Sequence, residues 1–260
     1  MKRAILILSA AFFAGCAGTN TGPGPSAAPV SEQVPAGMAE RSAKTHTELG
    51  TLYLQAGNFV VALEEARLAA AIDPGYAPAF DLMGLVHLAL NEMPQAGTAF
   101  ERALQLAPGD PQIANDYGWF LCLSGREQEA FKYFEAAARN PLYKTPTRPY
   151  TNAGLCYLRV KDEKSAEANF QRAAMADGSN AQAIYHLSNL AYKRGDYFNA
   201  KKLLGELHRL MEPNSESLWL GVRIERKIGD RQAEASYSSQ LRRKFAGTPE
   251  HQALLQGNYE

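Results

Sequence analysis

The sequence predicts an all-α protein made of about six stacked helix-turn-helix units, and three observations carry that expectation. Glycines recur 34 residues apart at Gly50, Gly84 and Gly118, then at Gly154 after a two-residue shift, and Ser188 fills the same slot one unit later. Small residues form two further columns, Ala62, Ala96, Ala130, Ala166 and Ala200, and Ala69, Ala103, Ala137 and Ala173; between them run Phe100, Phe134 and Phe170, with Ala66 and Leu204 in the same column. Residues that tolerate a left-handed backbone recur where one helix must end and the next begin: Gly57, Asn91, Gly125, Gly195 and Gly229, with Lys161 in the same column. Small residues let two antiparallel helices approach closely and large apolar ones fill the gaps. Each apolar set repeats at three- or four-residue spacing, the signature of one helical face.

The elements follow in chain order. Lys2 and Arg3 precede an apolar run from Ala4 to Phe13, which has the length of an export signal and falls well short of the roughly 20 residues a spanning helix needs. Residues 1–15 therefore read as a leader. Phe13-Ala14-Gly15-Cys16 resembles the bacterial lipobox, which implies that Cys16 becomes the acylated N-terminus of the mature protein. Three acyl chains exceed the two signals that stable anchoring takes, and Ala17, in place of an aspartate that would resemble an inner-membrane retention signal, favours the outer membrane. Residues 16–37 are rich in Gly, Pro, Ser and Ala and read as a flexible tether of about 25 Å reach.

From residue 38 to 260 the repeat domain follows, with units at about 43–76, 77–110, 111–146, 147–180, 181–214 and 215–248. The two-residue insertion falls in NPLYKTPTRPY, where Pro141, Pro146 and Pro149 forbid a continuous helix, so a protruding loop is expected there. Unit six is degenerate, with Gly221, Glu234 and Ser238 in or beside slots meant for small and aromatic residues, as a polar terminal cap requires. A short last helix is expected to start at Thr248, with Pro249 at its first position.

These columns resemble the tetratricopeptide repeat over about four fifths of the chain. The resemblance implies a right-handed superhelix whose concave surface is lined by the first helix of each unit. Candidate partner-binding residues on that surface are Thr51 and Leu54; Asp81, Leu85 and Leu88; Asn115 and Trp119; Asn152 and Leu155; Tyr185, Asn189 and Tyr192; and Trp219. Asparagines suited to a peptide backbone alternate there with apolar and aromatic anchors. The competing expectation is that Trp119, Tyr185, Tyr192 and Trp219 pack between repeats. Thr47 and Asp81 stand where a carboxylate-clamp repeat would carry basic residues, so apolar contacts are expected to dominate.

Composition narrows the function further. Lys plus Arg equals 27 and Asp plus Glu equals 27, so no global field favours nucleic acid. Arg223, Arg226, Lys227, Arg231, Arg242, Arg243 and Lys244 concentrate positive charge near the C-terminus, and a solvated capping face is the expectation in preference to an anionic docking patch. The sequence has no HExxH, no phosphate-binding glycine loop and no GxSxG. His46, His87, His186, His208 and His251 lack ligand spacing, although His186 is placed to face the groove. No catalytic residue, metal, cofactor or small-molecule substrate is expected.

Cys122 and Cys156 fall at the middle of the first helices of units three and four. Once Cys16 is acylated they are the remaining pair in an oxidising compartment. A disulfide between them is expected, two buried thiols being the alternative. NDYGWFLC (Asn115 to Cys122), NAGLCYL (Asn152 to Leu158) and the closing LRRKFAGTPEHQALLQG, together with the lipobox and six repeats, resemble the type IV pilus biogenesis lipoproteins of the PilF/PilW family. The resemblance implies a pilotin: a periplasm-facing outer-membrane lipoprotein that contacts the pilus secretin through its repeats and promotes the secretin's localisation, multimerisation or stability. A general periplasmic scaffold for another envelope or cell-wall machine is the competing reading.

Overall fold

The computed structural model describes residues 37–141, 143 and 146–259. The leader, Cys16 and all but the last residue of the expected tether lie outside the described residues. Among those described there are thirteen α-helices and no strand: α1 (Met38–Gln55), α2 (Phe59–Ile72), α3 (Ala77–Ala89), α4 (Met93–Leu106), α5 (Pro111–Leu123), α6 (Glu127–Arg139), α7 (Thr147–Arg159), α8 (Glu163–Ala176), α9 (Ala181–Lys193), α10 (Tyr197–Leu210), α11 (Ser215–Ile228), α12 (Arg231–Lys244) and α13 (Pro249–Gln256). The first twelve pair as six antiparallel hairpins, α1 with α2 through α11 with α12. Each second helix also packs on the first helix of the next hairpin. First helices touch one another as well, α1 with α3, α3 with α5, α5 with α7 and α9 with α11, which puts them on the inner side of the curve. This is the expected all-α array.

The glycine column has a steric cause. A Cβ placed on Gly84 would lie 2.7 Å from the Phe100 ring, one on Gly118 2.9 Å from Phe134, and one on Gly154 2.6 Å from Phe170. Each ring comes from the second helix of the same hairpin and is fully buried. In unit five the pair becomes Ser188 and Leu204, and the buried Ser188 hydroxyl donates to the Ala200 carbonyl at 2.8 Å. Unit six keeps the arrangement more faithfully than its sequence suggests. Tyr237, next to the Ser238 read as in or beside that slot, packs on Gly221, whose added Cβ would meet the Tyr237 ring at 2.9 Å.

The turns between paired helices use the left-handed backbone, with φ of 60° at Asn91 and 61° at Lys161, the two positions where the column lacks glycine. For α13, the Thr248 hydroxyl accepts from His251 N–H at 3.3 Å and Pro249 takes the first helical position. The insertion departs from expectation in two ways. Pro149 lies inside the first turn of α7, where no intrahelical donor is lost, so it does not interrupt the helix. Tyr143 does not protrude: its ring is buried against Ala114 and Ala137, and its hydroxyl donates to Gln112 Oε1 at 3.2 Å. No helix among the described residues is long and apolar enough to cross a membrane.

Candidate protein-interaction surface

The inner faces of α3, α5, α7 and α9 present a run of half-buried apolar side chains. Leu85, Leu88 and Trp119 rest on the cluster formed by Phe100, Tyr117 and Leu121, and Leu155 rests on the cluster around Phe170 and Leu187. Tyr185 and Tyr192 flank Ile184, Leu220 and Ile224. Each keeps part of its surface open, as do Leu54, Asn152 and Asn189. The Thr51 hydroxyl turns back to the Thr47 carbonyl at 2.8 Å, so it offers a ligand little. The surface is therefore mainly apolar and aromatic, with amides at intervals.

Three of the residues expected on this surface are covered instead. Asp81 is 7% exposed, Asn115 0% and Trp219 8%. Trp219 lies under Tyr259, whose ring stacks on it at 5.5 Å between centroids, so residues following α13 close this part of the lining. Asn115 is enclosed by its own neighbours: its amide donates to Asp116 Oδ1 at 2.8 Å, and its carbonyl oxygen accepts from Asn152 Nδ2 at 3.0 Å. His186, placed toward the groove by sequence, stacks instead on Phe170 at 4.8 Å. Burial, with a smaller contribution from Lys193, pushes its pKa down to about 4. His87 is buried, with Nδ1 2.6 Å from Glu92 Oε2.

Asp81 and Asp116, from adjacent first helices, form a buried carboxyl pair that the sequence does not announce. Gln112, Asn115 and the half-exposed Arg148, 3.4 Å away, all donate to Asp116. Asp81 Oδ1 is buried with no hydrogen-bond partner. Burial raises both carboxyls, and Asp81 stands well above its ordinary value of 3.8 because it also faces the charge of Asp116 and shares a hydrogen bond with it. Because folding raises this carboxyl above its unfolded value, its contribution to stability is fully present below about pH 4 and is lost as pH rises through the folded pKa. Asp81→Asn keeps a donor toward Asp116 and removes the titration. The variant is expected to melt higher than the parent at pH 7, with the two converging below pH 4; thermal melts across that range check it, and a constant offset at all pH values would rule the account out.

Cys122 and Cys156 are joined by a disulfide that ties α5 to α7, with 5.9 Å between their Cα atoms, and both are fully buried. No group of three or more His, Cys, Asp or Glu side chains among the described residues is placed to hold a metal ion.

A curved stack of helical hairpins with an apolar inner face defines a tetratricopeptide-repeat scaffold for binding other proteins. No family model matches the chain. The type IV pilus assembly protein PilF of Pseudomonas aeruginosa is 30% identical over 207 residues, covering 80% of this chain and 82% of that protein. The solved structure of Pseudomonas aeruginosa PilF superposes with a TM-score of 0.74 at 28% identity, over 84% of this chain and 99% of the other. That of PilW, a widely conserved type IV pilus biogenesis factor, superposes with a TM-score of 0.73 at 27% identity, over 82% and 98%. The chain belongs to the PilF/PilW family of tetratricopeptide proteins of type IV pilus biogenesis.

Proposed function

We propose that the protein is an outer-membrane pilotin: anchored through acylated Cys16, it holds a segment of the pilus secretin on its repeats and promotes the secretin's localisation, assembly or stability. The apolar inner strip from Leu85 to Tyr192 carries this reading, because it offers apolar and aromatic anchor area to a bound segment. The first hairpin adds to it. Leu52 on α1 and Val60 on α2 are 62% and 68% exposed, with Leu49 and Leu68 also open, so further apolar side chains are available to a partner on these helices. Fixing the scaffold to the membrane that the secretin must reach raises the effective concentration of one for the other.

Membrane fractionation tests the anchor: with Cys16→Ser, secretin in the outer-membrane fraction is expected to fall severalfold, and normal delivery would remove the anchor from the mechanism. Co-purification from detergent-solubilised envelope tests the surface. Secretin is the expected main partner, and Trp119→Ala, checked for an intact fold by its melt, is expected to reduce the recovered secretin about tenfold. Recovery of cell-wall synthases as the main partner would favour the scaffold reading instead.

A further inference from the structure

The C-terminal positive charges do not simply spread over a solvated cap. Arg226 of α11 and Arg231, Arg242 and Arg243 of α12 line one open cleft of about 730 Å³, with Ser238 and Tyr259 beside them. Arg226 forms one wall: it pairs with Glu234 at 3.0 Å and its guanidinium lies 4.0 Å over the Tyr259 ring. Arg231, Arg242 and Arg243 have no carboxylate within 4.0 Å among the described residues. Cations in the last turn of a helix complement its dipole, which accounts for Arg242 and Arg243 without any ligand. That account fails for Arg231, the first residue of α12, where the dipole opposes a positive charge. The neighbouring Asp230 is already committed, to the Ala233 N–H at 3.0 Å and to Lys201 at 3.3 Å. Eleven residues of helix separate Arg231 from Arg242, about 16 Å along the axis, so a single small anion cannot reach both ends. An extended strand covers that distance in about five residues.

We infer that this cleft is a second docking site, taking a short acidic segment of a protein partner with carboxylates at each end of the span. Guanidinium forks suit carboxylates bidentately, and charge complementarity selects the occupant. The site is separate from the apolar inner strip and does not depend on the identity of the ligand bound there.

Fluorescence anisotropy on the full-length protein in detergent tests this with a labelled peptide of five glutamates and its all-glutamine counterpart. The acidic peptide is expected to bind at least tenfold more tightly than the neutral one and to weaken steeply as salt rises. Arg231→Gln with Arg242→Gln is expected to lower its affinity at least tenfold, whereas Arg67→Gln, on the exposed face of α2, leaves it unchanged. Equal losses from Arg67→Gln and from the cleft pair would show non-specific charge attraction and overturn the site. Vesicles containing phosphatidylglycerol that displace the peptide and lose binding with the same two substitutions would assign the cleft to lipid and overturn the peptide reading. Arg243→Gln alone, expected to cost about threefold, keeps the test valid if the double variant melts early.

Discussion

Replacing Phe170 with alanine is expected to destabilise the protein by about 3–5 kcal/mol, the usual cost of emptying a fully buried aromatic site. The ring packs closely on Gly154 and is stacked by His186, so little can collapse into the space. A double-mutant cycle makes this specific. Gly154→Ala alone forces a methyl group to within 2.6 Å of the ring and is expected to cost about 1–3 kcal/mol as overpacking. In the Phe170→Ala background the clash is gone and only the helix preference of alanine over glycine remains, worth up to about 1 kcal/mol in favour. The same substitution should therefore change sign between the two backgrounds. Denaturant melts of the four proteins measure it, and an equal cost in both would show that the glycine column is not a consequence of the facing rings.

Removal of the disulfide through Cys122→Ala with Cys156→Ala is expected to lower stability by about 3–4 kcal/mol, from the loop closed by a separation of 34 residues in the chain-entropy model. The two tryptophans allow the loss to be located. Trp119 lies three residues before Cys122 in α5, and Trp219 lies in the sixth hairpin. A variant retaining Trp119, with Trp219→Phe, should show the whole shift in its denaturant midpoint. A variant retaining Trp219, with Trp119→Phe, should show a smaller one. A loss under about 1 kcal/mol at Trp119, or the larger shift at Trp219, would mean that the bridge does not govern the third and fourth hairpins.

Periodicity made the hairpins readable, because each glycine, alanine and phenylalanine column records a contact within one unit or between neighbours. The sixth ring slot was equally readable: Tyr237 follows Gly221 at the same 16-residue interval that separates Gly154 from Phe170, and Ser238 adjoins it. The inner surface was only partly legible. Repeat columns identify which side of a helix faces inward, but not what neighbouring side chains lay over it. Asp81 and Asn115 stand in inward-facing columns, yet Asp81 pairs with Asp116, and Asn115 is held between Asp116 and Asn152. Trp219 is covered by Tyr259, which belongs to no repeat. Tyr143 was hidden for the same reason, since a single insertion leaves no column to read.

The pattern of neighbour-only packing also bears on cooperativity. Where each hairpin draws its support from the adjacent one, separate segments can loosen without carrying the rest of the chain with them. The covalent link between α5 and α7 anchors the middle of that sequence, so fraying started at either terminus meets a barrier before reaching the opposite half. The first hairpin and α12, at opposite ends of the array, can then loosen independently, and motion in one need not strain the other.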